Sequence, residues 1–168
     1  MKHIIIKGIG PDKPGIVSRI SGIVVSNNAN IEESRMIRLG SEFSIIMLIS
    51  IPDDSQDNLS AQLESIEGIK FYLTPTRKLS SYEYPNYIIS ISGADNEGIV
   101  HSVTDSISSL GINIIEVITD TENAPVTGTT LFHMVSKIYL RKDKINELSE
   151  KLSEIEANFG LVIKLERI

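Results

Sequence analysis

Residues 42 to 51 read EFSIIMLISI, and Phe43, Ile45, Met47, Ile49 and Ile51 fall at every second position. That is the period of a pleated strand with one face turned to a core. Residues 30 to 39 are a second strand candidate, and Gly40 leaves so short a link between the two that a hairpin is implied. Residues 3 to 9 are a brief isoleucine-rich run, consistent with a buried strand. Between that run and the hairpin, Ile16, Ile20, Ile23 and Val24 recur at helical spacing, with Pro14 suited to the first helical position and Gly15 close behind. Leu59, Leu63 and Ile66 mark a second amphipathic helix, and IKFYLTP supplies a last strand. The predicted order is strand, helix, strand, strand, helix, strand.

The pattern then repeats. With an offset of 83, GPDKPGIVSRISGIVVSNNANIEE (10 to 33) lies over GADNEGIVHSVTDSISSLGINIIE (93 to 116) without a gap. Gly10, Asp12, Gly15, Ile16, Val17, Asn30, Ile31 and Glu33 recur as Gly93, Asp95, Gly98, Ile99, Val100, Asn113, Ile114 and Glu116. Further on the offset is 89, where Phe43 meets Phe132 and NLSAQLESIE (58 to 67) meets ELSEKLSEIE (147 to 156). The second copy has therefore gained six residues between about 117 and 131. Its helices are marked by Val100, Val103, Ile107 and Leu110, then by Ile145, Leu148, Leu152 and Ile155. TPTRKLSSYEYP, residues 74 to 85, is polar and bounded by proline. The expected organisation is a module over residues 1–76, a linker over 77–85 and a second module over 86–168. Each module fits the α+β class: a split βαβ, ferredoxin-like βαββαβ sandwich, with an antiparallel sheet and both helices on one face.

Composition narrows the chemistry. At 168 residues and 41% apolar content the chain can bury two small cores. It has no cysteine, which excludes disulfides, thiolate metal sites and cysteine nucleophiles. Residues 1–84 carry 9 Lys and Arg against 10 Asp and Glu, whereas residues 85–168 carry 7 against 12. An acidic chain is a poor binder of nucleic acid, whose affinity comes mostly from basic side chains at phosphates. The start, MKHIIIKGIG, lacks the apolar core and cleavage site of a signal peptide, and no run approaches the roughly 18 apolar residues of a membrane span. A soluble, cytoplasmic protein is expected.

The turn GIGPDKPGIV, residues 8 to 17, carries the most chemistry. A strand passing through glycine into a helix start exposes backbone N–H groups and the positive end of the helix dipole, a small anion site. Gly10 and Gly15 lack side chains where a ligand would approach closely, Asp12 offers an acceptor to an ammonium group, and Asn30 can donate or accept. Such groups suit a zwitterion. A purely structural account uses the same residues: Asp12 caps the helix, Pro14 fixes its first turn, Gly10 permits the bend and Asn30 closes a loop.

GPDKPGIVSRIS followed by NANIEESRMIRLGSEFSIIMLIS resembles an ACT domain, whose hallmark is an Asp-basic-Pro-Gly turn after strand one and an Asn-Ile pair opening strand two. The tandem arrangement is similar to that of the glycine cleavage system transcriptional repressor family. The resemblance implies a ferredoxin-like fold, sensing of a small amino acid (glycine or serine first) at an interface, and action through a protein partner such as a transcription factor or metabolic enzyme. It implies no catalysis, no cofactor, no membrane and no direct nucleic-acid contact, and it suggests a homodimer. In such domains the ligand touches the turn after strand one and the Asn opening strand two, often from opposite subunits, so the positions carried over are Gly10, Asp12, Lys13, Pro14, Gly15 and Asn30. The second module keeps Gly93, Asp95, Gly98 and Asn113 but has Asn96-Glu97 for Lys13-Pro14, which puts a carboxylate near the supposed carboxylate site.

His3, His101 and His133 lie far apart without partners at metal-ligand spacing, and no nucleophile-base pairing is evident. The aromatic and basic pattern of RNA-binding ferredoxin-like sheets is missing. The insertion DTENAPVTG, 120 to 128, reads as a longer hairpin tip. Two alternatives accompany the sensor reading: a ligand-free protein-interaction module, and a detached regulatory subunit of a metabolic enzyme, since similar modules occur in formyltetrahydrofolate deformylases.

Overall fold

The computed structural model describes residues 1–77, 84–124 and 128–168. Residues 78–83 of the expected linker and 125–127 of the expected insertion lie outside the described residues. The chain divides into two compact units, Met1–Lys78 and Leu79–Ile168.

In the first unit, β1 (Lys2–Pro11), α1 (Ile16–Ser26), β2 (Asn30–Leu39), β3 (Glu42–Ile51), α2 (Gln56–Glu64) and β4 (Lys70–Thr76) follow in the predicted order. They build a four-stranded antiparallel sheet of order β2-β3-β1-β4. Alternation decides which face is covered: Ile4 and Ile6 of β1 pair with Ile49 and Met47 of β3. These four, with Ile20 and Val24 of α1 and Leu59 and Leu63 of α2, have no exposed surface. The core is therefore the layer between one sheet face and the two helices.

The second unit repeats the plan with β5 (Tyr87–Ala94), α3 (Ile99–Ser109), β6 (Ile114–Asn123), β7 (Thr130–Ile138), α4 (Ile145–Phe159) and β8 (Val162–Arg167). Its sheet has the order β6-β7-β5-β8, and a short 3-10 turn, Lys142–Lys144, precedes α4. Both units carry a register shift at the start of the third element's strand, between Ile31 and Glu33 in β2 and between Ile114 and Glu116 in β6. The six-residue gain lengthens the β6–β7 connection and leaves the core pairing intact: Ile89 meets Ser136 as Ile6 meets Met47. Ser136 thus stands where the first core has Met47, fully buried and with no hydrogen-bond partner for its hydroxyl among the described residues.

Two expectations need correction. Pro14 does not occupy the first helical position: α1 begins at Ile16, and Gly15 is its N-cap with φ +86. A left-handed residue at the cap requires glycine, so the chain turns at Gly15 after Pro14 has already set its approach. Ile66 lies beyond the end of α2, in the loop to β4, although it is buried as its periodicity implied. Among the described residues no helix is long and apolar enough to cross a membrane.

Candidate functional site at the strand-helix turn

In each unit the central strand β1 or β5 delivers the chain to one end of the sheet, where it turns into α1 or α3. The two turns share a backbone. The Asp12 N–H donates to the Ser41 carbonyl (2.9 Å) and the Asp95 N–H to the Thr130 carbonyl (3.0 Å), tying each turn to the neighbouring hairpin. The Arg19 and Ser102 N–H groups donate to the Gly15 and Gly98 carbonyls, both at 2.9 Å, closing the first helical turns. Gly98 has φ +90 beside the +86 of Gly15, and a Cβ at either position would meet nothing within 4 Å. These two glycines serve the backbone conformation and leave open space above the helix start.

Gly10 and Gly93 serve a different purpose from the one expected of them. A Cβ on Gly10 would lie 2.1 Å from the Gly68 carbonyl oxygen. One on Gly93 would lie 2.7 Å from Leu161 Cδ2 and 3.2 Å from its Cα. The space that these glycines free is filled by the module's own loop before its last strand, by backbone at Gly10 and by Leu161 at Gly93, rather than by a ligand.

Around the first turn, Asp12, Lys13, Pro14, Gly15, Ile16, Val17, Ser18 and Ser21 line an open depression of about 640 Å³ with Phe43 of β3. Helix α1 has no side-chain cap, so Asp12 does not satisfy its first N–H groups. Among the described residues the Ile16 N–H reaches the Lys13 carbonyl at 3.4 Å, while those of Val17 and Ser18 have no protein acceptor. The exposed Asp12 carboxylate sits 3.8 Å from Arg38 Nε, a contact worth little at a solvated surface. The depression thus offers donors, a carboxylate and the Lys13 ammonium over an apolar floor.

Asn30 of the same copy does not join them. Helix α1 runs back from the turn, and its 11 residues span about 16 Å, so Asn30 opens β2 at the opposite end of the module. In the second unit the separation is the same. Asn113 lines another open depression, of about 450 Å³, with His101, Thr104, Asp105, Ser108, Ile112 and Ile114. Asp95 and Gly98 are not part of its lining, and Asn96 Nδ2 turns back to the Ala94 carbonyl at 3.3 Å.

Sequence spacing missed two histidine-carboxylate pairs that form across strands. His3 Nε2 lies 3.2 Å from Glu32 Oε1, and His133 Nε2 lies 3.2 Å from Glu122 Oε1. Among the described residues no three histidine, aspartate or glutamate side chains gather as a metal ion would require.

The ACT domain family profile matches residues 2–67. The glycine cleavage system transcriptional repressor of Escherichia coli is 48% identical over 48 residues, a match covering 29% of this chain and 25% of the repressor. The chain therefore aligns with about a quarter of the length of that relative. A UPF0237 protein of Methanococcus maripaludis is 35% identical over 68 residues, covering 39% of this chain and 76% of its own. A solved structure of an unknown protein from Galdieria sulphuraria is 33% identical and superposes with a TM-score of 0.89 over 99% of this chain and 98% of its own. A second solved structure, provisionally named a glycine cleavage system transcriptional repressor, shares the fold at 19% identity, with a TM-score of 0.68 over 99% and 97% of the two chains. Residues 2–67 thus belong to the ACT-domain family, the second unit repeats their βαββαβ fold, and the chain is a relative of the UPF0237 protein with a partial similarity to the glycine cleavage system transcriptional repressor.

Proposed function

We propose that this tandem ACT-domain protein is a non-enzymatic, cytoplasmic regulator that binds a small amino acid at the turn of its first module and thereby modulates a protein partner. The partner is a transcription factor or a metabolic enzyme, and the setting is the control of glycine metabolism. The observation that carries the reading is the depression over Asp12–Ser18, where the Val17 and Ser18 N–H groups lack an acceptor among the described residues. A ligand carboxylate would take those donors at the positive end of α1, and Asp12 would take its ammonium group. Backbone donors recognise what all amino acids share, so the preference for glycine or serine is a matter of space; the repressor's name supports glycine as the first candidate. A ligand shifts an equilibrium only by its differential affinity for two states, and coupling of about 1–3 kcal/mol suffices for a regulator.

The test is a thermal-stability screen of the purified chain against the twenty amino acids, with calorimetry on any hit. Ligand at about 100 times its dissociation constant adds about 2.7 kcal/mol, a rise of several degrees at this length. Asp12→Ala should remove that rise with the circular dichroism spectrum unchanged. An equal loss in Asn30→Ala would require the ligand to meet an asparagine from a second copy, because Asn30 lies about 16 Å along α1 from its own turn.

A second reading, a ligand-free interaction module, is favoured by Gly10 and Gly93, whose open sides are filled by the module's own Gly68 and Leu161. A flat screen at millimolar concentrations would select it and send the search to partners.

A further inference from the structure

Helix α3 carries side chains on one stripe that α1 does not. His101, Thr104, Asp105 and Ser108 stand three and four residues apart, so they share one side of the helix. With Asn113 they form the polar side of the depression of about 450 Å³ in the second unit, and Ile112 and Ile114 form its apolar side. By the offset of 83, the first module has Ser18, Ser21, Gly22 and Val25 along the same stripe of α1, with no ionisable group among them. The repeat supplies the same frame twice, and the second copy sets an imidazole and a carboxylate on it.

The hydrogen-bonding capacity of these groups points one way. Thr104 Oγ1 donates to the Val100 carbonyl at 2.8 Å, which spends its proton and leaves its oxygen as an acceptor. Among the described residues, the side chains of His101, Asp105, Ser108 and Asn113 make no hydrogen bond or ion pair. An ionised Asp105 only accepts, and the Ser108 hydroxyl and the Asn113 amide oxygen add further acceptors. A neutral imidazole at His101 offers one more. Position along the helix acts in the same sense. The depression reaches the C-terminal end of α3, the negative pole of its dipole, whereas the turn at Gly98 is the positive pole. A cation is favoured here and a carboxylate disfavoured.

We infer that this depression binds an alkylammonium group, at a site separate from the turn and opposite to it in charge preference. An ammonium group has three donors and no acceptor, which matches Asp105, Ser108 and Asn113. Its methylene chain would lie along Ile112 and Ile114, as lysine stems lie along apolar surface. A volume of about 450 Å³ admits a short aliphatic amine or a lysine side chain. Asn113 thereby gains a role that needs no residue of its own turn, since none from Asp95 to Gly98 lines the depression. The site is open to solvent, so its affinity is low and falls with salt.

Amide chemical shifts of the full chain test this, with 1,4-diaminobutane standing for a free amine and Nα-acetyl-lysine amide for a lysine side chain. At millimolar concentration either probe should shift residues 101–114 saturably, and the tighter of the two identifies the source of the ammonium group. Asp105→Asn keeps the shape and removes the charge, and should raise the apparent Kd by about fivefold. Glu166→Gln makes an equal change in net charge on β8, away from the lining, and should leave the Kd unchanged. Acetate should leave residues 101–114 unshifted. No saturable shift with either probe, equal losses in Asp105→Asn and Glu166→Gln, or a shift of the same residues by acetate would each overturn the inference. The first module's turn takes no part, so the outcome is independent of amino-acid binding there.

Discussion

One methyl group at Gly10 would place a carbon 2.1 Å from the Gly68 carbonyl oxygen, with the Gly68 carbon and Ile69 Cα at 3.0 Å. All three obstacles are backbone, so no side-chain rotation can relieve them, and the loop before β4 would have to leave the end of β1. Overpacking of this kind costs about 1–3 kcal/mol or more, a fall in Tm of roughly 4–8 °C per kcal/mol for a module of this size. Gly22 is the control. It sits in the exposed middle of α1 with nothing within 4 Å of a new Cβ, and alanine there should stabilise by about 0.5–1 kcal/mol. Differential scanning calorimetry of Gly10→Ala and Gly22→Ala should therefore show shifts of opposite sign. Equal and small shifts would mean that the close approach at Gly10 is relaxed without cost. The pair also separates two uses of glycine that look alike in the sequence, since which glycine has a neighbour is a tertiary fact.

At the scale of elements, the junction of α1 with α2 is held differently in the two modules. Asn27, just after α1, is 3% exposed. Its Nδ2 donates to the Ile23 carbonyl (2.8 Å) and to Gln62 Oε1 (3.1 Å), and its Oδ1 accepts from Asn58 Nδ2 (2.8 Å). By the repeat offsets the second module has Leu110 for Asn27, with Glu147 and Lys151 for Asn58 and Gln62. One junction is a buried polar network and the other an apolar plug. Asn27→Ala should cost about 1–3 kcal/mol, since it leaves buried amide groups without partners, and Asn27→Leu should not restore the loss while Asn58 and Gln62 remain. Urea midpoints check this, and an unchanged midpoint would show that water replaces the asparagine. The elements themselves were legible where period and turn chemistry agreed: the alternation of EFSIIMLISI and the break at Gly40 place β2 and β3 where the structure has them. The start of α1 was not, because Pro14 reads as a first helical residue and the left-handed Gly15 that begins the helix shows only in three dimensions. The His3–Glu32 and His133–Glu122 pairs were hidden because they cross strands. That Asp12, Lys13, Pro14 and Gly15 share one turn could be read from the sequence, and they line the depression there. The distance to Asn30 could also have been, since a strand-helix-strand unit sets its two loops at opposite ends of the helix.

For the whole molecule, two separate cores and an uneven charge combine into one expectation. Each unit encloses its own cluster of buried side chains, Ile4 to Ile69 in the first and Ile89 to Leu161 in the second. At 0.05–0.15 kcal/mol per residue, a module of this size is stable by about 4–12 kcal/mol, so residues 1–77 and 84–168 expressed separately should each unfold cooperatively. Their salt responses should differ, because residues 85–168 hold 12 acidic against 7 basic side chains while residues 1–84 are nearly balanced. Like charges destabilise a compact state by self-repulsion, and the screening length shrinks from about 30 Å at 0.01 M to about 10 Å at 0.1 M. Salt also weakens the exposed pairs Lys144–Glu147 and Arg141–Asp143 of the second module, but such pairs contribute only about 0.2–1 kcal/mol each. Repulsion spread over a whole acidic surface outweighs the loss of two exposed contacts. Raising salt over that range should lift the Tm of the second module and leave the first nearly unchanged, as read by circular dichroism. Parallel shifts in both would place the salt effect in the cores, through stronger apolar burial, rather than in the charge asymmetry of the two halves.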